Sequence, residues 1–375
     1  MNLDEIRRLF PITQKYIYLQ NAGFNPGCLR VTQAMRNFLK DWEEKADIKY
    51  WEWDAIFRNA KRLFAKLIGA KEGEIVSVPN TSTGLGLVAN MIKPKPGTNA
   101  VIDDLTFHSV AYNWLIFKKK GVEVRYARNK NGTFDAECFT KVVDEKTAVV
   151  NICHVTWNNG FRFNLREIAE VAHKNGAYFV VDCAQSAGAI KIDVKKDDVD
   201  FLVAPCFKWL LGPAGAGFLY VREELIDRFD PPIVGWMSVT NPLAYDIWNM
   251  SLQKDANKFE TGTPALINYV GAEAALKLLH EVGPNQIEDR VLKLSGKLIE
   301  ELTNVGFKVR TPVDRDKRAG IVNFEVKNPE KVVEELKRQG VVATVKANGV
   351  RVSPHFYNTE GEIETFIEKL KKIAK

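Results

Sequence analysis

The sequence predicts an α/β fold, a mostly parallel, doubly wound sheet joined to a smaller C-terminal α+β domain. Three observations predict it. Apolar runs centred near Ala100, Val124, Val149, Val180, Leu202 and Phe218 alternate with helical patterns such as Leu165 to Asn175, the order expected of a parallel sheet with crossover helices. After Gly283-Pro284 the pattern changes to a long amphipathic helix. Short strands near Val309, Val322, Val342 and Val350 follow, interleaved with a helix from Glu330 to Arg338. The third observation is size: 375 residues, 46% of them hydrophobic, can bury a large core and divide into two domains. The expected division is a large domain over residues 16–280 and a small one from 1–15 and 281–375.

Taken in chain order, a helix from Asp54 to Ile68 leads to the strand Glu74-Ile75-Val76-Ser77-Val78. Asn80-Thr81-Ser82-Thr83-Gly84 comes next and opens a helix expected to begin near Gly84. Hydroxyls and free amides at a helix N-terminus make an anion site, although Thr and Ser also cap helices for purely local reasons. Ala177 to Asp182 is a continuous apolar run that ends in a carboxylate. It reads as a strand buried on both faces. The next run, Asp200 to Ala204, carries Lys208 out at the same edge, just before Gly212-Pro213. Ligands of open α/β sheets bind outside the carboxyl ends of the strands, so Asp182 and Lys208 are placed to face one ligand. Burial disfavours an ammonium and supplies the neutral amine that carbonyl chemistry needs. Taken alone, the same lysine also fits a side chain snorkelling to the surface.

A phosphate cup, a carboxylate and a lysine at strand ends of one array match the needs of pyridoxal 5'-phosphate: phosphate anchor, partner of the pyridine nitrogen, carrier of the aldehyde. With these residues the chain resembles the class V aminotransferases of the fold-type I pyridoxal-phosphate enzymes, a group that includes cysteine desulfurases, isopenicillin N epimerase-like proteins and kynureninase. The resemblance runs from Tyr18-Leu19-Gln20-Asn21-Ala22-Gly23 to Arg351-Val352-Ser353-Pro354-His355-Phe356-Tyr357-Asn358. Its most specific parts are Asp182-x-x-Gln185, Lys208-Trp-Leu-Leu-Gly-Pro and Phe259-Glu260-Thr261-Gly262-Thr263-Pro264.

The resemblance implies a role for each matching residue. Lys208 carries the cofactor, Asp182 partners its ring nitrogen, and Gln185 donates to its phenolic oxygen. Thr81, Ser82 and Thr83 form the phosphate loop. Phe107 stacks on the ring, and Trp157 borders it. Gly262 and Thr263 match a turn that reaches the neighbouring subunit's phosphate, implying a homodimer with shared active sites. Arg351 and Asn21 fall to the substrate, Arg351 through a bidentate grip on its carboxylate.

Departures narrow the chemistry. Where desulfurases of the group carry a nucleophilic cysteine, Gly340 to Gly349 contains none, so persulfide transfer by that route is not expected. Cys183 and Cys206 lie beside Asp182 and Lys208 but read as small buried hydrophobes. Family members often have Ser and His where this chain has Pro205 and Phe207, a histidine where it has Phe107, and an asparagine where it has Trp157. A phenyl ring stacks as well as an imidazole but cannot shuttle a proton.

Composition excludes other classes. No run is long and apolar enough to span a bilayer, and the five cysteines show neither a disulfide framework nor a Cys-x-x-Cys metal spacing. The opening Met1-Asn2-Leu3-Asp4-Glu5 lacks an apolar signal region, so a cytoplasmic location is expected. The net charge of +6 comes from Lys and Arg scattered among acids, a solvated surface rather than a nucleic-acid patch. The expected activity is that of a pyridoxal-phosphate enzyme on an amino acid: an aminotransferase, with a 2-oxo acid as the other substrate, then a β-lyase, then an epimerase. From a different class stands a cofactor-binding protein without turnover.

Overall fold

The structure is a computed structural model that describes residues 2–374. Met1 and Lys375, the outer ends of the expected small domain, lie outside them. Its strands are β1 (Ile17–Tyr18), β2 (Ile75–Val78), β3 (Asn99–Asp103), β4 (Glu123–Ala127), β5 (Thr147–Cys153), β6 (Tyr178–Asp182), β7 (Phe201–Pro205), β8 (Gly217–Val221), β9 (Val322–Phe324), β10 (Val341–Val342), β11 (Thr344–Lys346) and β12 (Gly349–Val352).

Seven of them form the central sheet in the order β2-β8-β7-β6-β5-β3-β4. From β7 to β4 every neighbour is parallel, whereas β8 runs antiparallel to both β7 and β2. Apolar clusters cover both faces of this sheet, which is why β6, β7 and β8 read as unbroken apolar runs rather than alternating ones. The register sets Cys153 beside Asp182 and Asp182 beside Val203, so the strand ends that carry chemistry share one edge.

The helix Thr81–Ile92 starts three residues earlier than the sequence suggests. Asn80, extended at φ −167°, accepts a hydrogen bond from the Thr83 N–H at 2.9 Å, and this cap brings Thr81 and Ser82 into the first turn. Gly84 lets that turn approach the sheet: a Cβ there would sit 2.6 Å from Val203 Cγ1.

The C-terminal segment builds the antiparallel sheet β11-β12-β9 over its own apolar cluster. Strand β11 is absent from the sequence reading because Thr344-Val345-Lys346 carries no apolar run. The strand β1 pairs in parallel with β10, Leu19 belongs to the small-domain cluster, and Arg7 pairs with Glu362 at 2.9 Å. The segment after residue 15 thus packs on the C-terminal part before entering the large sheet. No helix among the described residues is long and apolar enough to cross a membrane.

Candidate active site

A cavity of about 150 Å³ opens at the carboxyl edge of the sheet and is bordered by Lys208, Asp182, Gln185, Thr81, Ser82, Phe107 and Trp157. These are seven of the residues expected from sequence. The cavity also takes in Asn80, Ser109, Cys153, Val155, Ala184, Pro205 and Phe207. Ser109 lies in the first turn of the helix His108–Leu115, and its hydroxyl meets that of Ser82 at 2.9 Å. The signal for it was a second strand-turn-helix unit, after β3. Cys153 ends β5 in register with Asp182, legible as the last residue of a neighbouring buried strand.

Lys208 is held in an apolar setting. Its Nζ lies 5.6 Å from the Phe107 ring centroid and 5.5 Å from that of Phe207. Among the described residues it has no hydrogen-bond or ion-pair partner. Burial pushes its pKa below the ordinary lysine value, with the Asp182 charge opposing in part. Asp182 is 3% exposed, and burial raises its pKa while the Ala184 N–H, at 2.8 Å from Oδ1, and the Lys208 charge pull it down. Cys153 directs its thiol to Oδ2 at 3.9 Å.

Gln185 is fixed at both ends. Its carbonyl oxygen accepts from Trp209 Nε1 at 2.9 Å, and its Nε2 donates to the Ala22 carbonyl at 3.0 Å. An amide nitrogen carries two hydrogens, so one N–H remains for a ligand. This donor set fits pyridoxal 5'-phosphate: hydroxyls at a helix N-terminus for the phosphate, a buried carboxylate for the ring nitrogen, an unpaired amine for the aldehyde, and a phenyl ring for the face.

Other expected residues lie elsewhere. Thr83 turns its hydroxyl to Asn80 and, with Gly262 and Thr263, borders a separate cavity of about 660 Å³. Within one chain that turn does not border the Lys208 cavity. Arg351, on β12, stands behind Trp157 and donates from Nη1 to its carbonyl at 2.7 Å. Among the described residues its buried Nε has no partner, and burial holds its pKa down to about 10. Asn21 is fully buried, with Nδ2 donating to the Ser353 carbonyl at 3.0 Å and Oδ1 accepting from the Tyr357 hydroxyl at 2.9 Å. His108 is absent from the cavity wall and packs on Phe107 at 3.9 Å between ring centroids. All five cysteines are free and buried. Burial pushes the Cys153, Cys183 and Cys206 thiols above their ordinary pKa.

Comparison with known proteins places the chain among relatives over its whole length. The family model "Aminotransferase class-V" matches residues 17–366. An uncharacterised aminotransferase, YcbU, of Bacillus subtilis is 30% identical, over 98% of this chain and 97% of that protein. A probable cysteine desulfurase of Pyrococcus abyssi is also 30% identical, over 99% of this chain and 98% of the relative. Among solved structures, an apo cysteine desulfurase from Thermococcus onnurineus NA1 superposes with a TM-score of 0.89 at 26% identity, covering 99% and 98% of the two chains.

Proposed function

The chain belongs to the class V aminotransferases, the pyridoxal-phosphate enzymes of fold type I, and from that premise we propose that it transfers the amino group of an α-amino acid to a 2-oxo acid. The observation that carries the reading is the unpaired, buried amine of Lys208 facing the buried carboxylate of Asp182, with an unpaired guanidinium nitrogen of Arg351 behind Trp157.

Bound pyridoxal 5'-phosphate supplies an aldehyde and a protonated ring that draws electrons from the substrate's Cα. The protein's part is to hold and to move protons. Thr81 and Ser82 would hold the phosphate with the N–H groups of their helix turn, and Asp182, as a carboxylate, would keep a proton on the ring nitrogen. Arg351 receives the substrate carboxylate; a guanidinium presents two parallel N–H groups to it. Lys208, whose amine would hold the aldehyde, lies where it would take the proton from the substrate's Cα, and burial lowers its pKa toward that task. The same amine would return that proton to the cofactor's side of the bond. Phe107 and Trp157 line the cavity with aromatic rings and leave it open to the water that releases the 2-oxo acid.

A β-lyase acting on cysteine is the second reading, favoured by the likeness to the Pyrococcus and Thermococcus proteins. Against the desulfurase route stands the cysteine-free segment from Gly340 to Arg351. We further propose a cytoplasmic homodimer. Five free, buried cysteines suit a reducing compartment. Trp236, Tyr245, Ile247 and Trp248 are exposed on the segment before the Gly262-Thr263 turn, and so large an apolar surface calls for a covering partner.

The test is the absorption spectrum of the loaded protein during amino-acid addition. Conversion to the pyridoxamine form, reversed by a 2-oxo acid, is the expected result. Pyruvate and free sulfide from cysteine without that conversion would establish the lyase. Borohydride reduction should place the label on Lys208, and a label on another lysine would refute the assignment.

A further inference from the structure

We infer that the substrate's side chain packs against an aromatic wall made by Phe24 and Phe207, which selects amino acids with apolar, foremost aromatic, side chains. This rests on the reading above, in which an α-amino acid is held by its amine at Lys208 and its carboxylate at Arg351. With two substituents of Cα so anchored, the side chain has to leave in a third direction.

Phe207 borders the cavity beside Lys208. Phe24 lies against it with ring centroids 5.3 Å apart and planes at 41°, yet 49% of Phe24 is open to solvent. Phe24 stands outside the cavity wall and meets the site through Phe207, the ring that borders Lys208. The wall is not a loose flap. The Tyr18 hydroxyl donates to the Phe24 carbonyl at 2.7 Å. The Asn25 N–H donates to the Phe207 carbonyl at 2.9 Å, and the Asn25 side chain reaches the Gly212 carbonyl at 2.7 Å. These bonds clamp the segment carrying Phe24 to the one carrying Lys208. Rings held in place lose little freedom when a ligand packs on them, which makes such a wall an effective apolar subsite. Trp157, edge-on to Phe107 at 5.9 Å, extends the apolar lining.

One cation argues for a different substrate class. Thr344 pairs with Arg351 and Lys346 with Gly349, so Lys346 projects from the same face of the small sheet as Arg351. Its charge acts on Lys208, and an acidic side chain would suit it. The aromatic pair is the better supported partner, because Phe207 borders the cavity with its ring centroid 5.5 Å from Lys208 Nζ, whereas Lys346 is absent from the cavity wall and lies diagonal to Arg351, roughly 7–8 Å along the hairpin.

The experiment titrates the loaded protein with phenylalanine, leucine, aspartate and glutamate and reads half-saturation from the cofactor's absorption. Phenylalanine and leucine should saturate at concentrations roughly ten-fold lower than the two acids. Phe24→Ala should raise the phenylalanine value by roughly ten-fold and leave aspartate unchanged, and Phe24→Tyr, which keeps the ring, should restore it. Acids that saturate first, or a Phe24→Ala variant that weakens all four alike, would overturn the inference while leaving the aminotransferase reading intact. A spectrum that no amino acid changes would remove both.

Discussion

Arg351 donates a hydrogen bond from Nη1 to the main-chain carbonyl of Trp157 at 2.7 Å, tying β12 to the loop that follows β5. The bond uses one corner of the guanidinium and leaves the buried Nε without a partner. A cation only 3% exposed and short of one partner is costly to keep, and a carboxylate ligand would satisfy it.

Arg351→Lys should therefore raise KM for the amino acid and lower kcat/KM by roughly 10–100-fold, because an ammonium keeps the charge but loses the planar fork. Steady-state kinetics on the preferred substrate measures this. Unchanged values, or a preference for amines lacking a carboxylate, would move the carboxylate site elsewhere.

Asp182→Asn should leave the cofactor bound, as judged by absorbance and by labelling of Lys208, but depress turnover by several orders of magnitude. A neutral amide cannot keep the ring nitrogen protonated, and the electron-withdrawing power of the ring falls with it. Near-normal activity would show that another group holds that proton.

Cysteine incubated with the enzyme in the absence of reductant should leave no persulfide on the protein. Cys153, Cys183 and Cys206 border or flank the site, but burial suppresses their thiolates. Mass spectrometry of the intact chain decides it: an adduct that disappears in Cys183→Ala, Cys206→Ala or Cys153→Ala would refute the prediction.

Glu260→Ala should destabilise the fold by about 3–5 kcal/mol, the usual cost of stranding one partner of a buried ion pair. Lys61 Nζ lies 2.8 Å from Glu260 Oε1, with the two side chains only 4% and 5% exposed, and the same oxygen accepts the Ser77 N–H at 2.7 Å. Denaturant unfolding supplies the number. A loss below 1 kcal/mol would mean that water reaches Lys61 in the native state.

Stability should carry a pH dependence traceable to His173. Its ring lies 2.9 Å from Asp200 and 3.2 Å from Asp198, and the Asp200 hydrogen bond is the main cause of a raised pKa. A histidine raised in the folded state contributes stability that is complete below the unfolded value and is lost as pH rises through the folded one. His173→Gln should thus narrow the melting-temperature gap between variant and parent as pH climbs from about 6 to 8. A gap that stays constant would exclude the ion pair as the source.

Much of this architecture is written locally. The runs ending at Asp182 and Pro205 are apolar without alternation because both faces of β6 and β7 are covered, and a strand of that kind announces itself in one dimension. The helices Leu165–Lys174 and Pro329–Arg338 follow from their amphipathic spacing in the same way. Lys208, Asp182, Thr81 and Ser82 were legible because each follows or ends a strand or starts a helix, positions that sequence spacing marks, whereas Gln185 came from the family resemblance.

What escaped depends on partners distant in sequence. The parallel pairing of β1 with β10 joins Ile17 to Val341 from opposite ends of the chain, and the short strand β11 rests on its pairing with β12 rather than on an apolar run of its own. Ser109 and Cys153 join the cavity only because parallel register places the ends of β3, β5 and β6 side by side. The sequence by itself determined the α/β order of elements and the kinds of group at each strand end, since both follow from local burial and turn chemistry. Tertiary structure alone decided that Arg351 rests on the carbonyl of Trp157, that Thr83 faces away from the Lys208 cavity, and that Phe24 stands against Phe207. Those relations join residues up to hundreds of positions apart, and only the packed chain brings such residues within reach of one another.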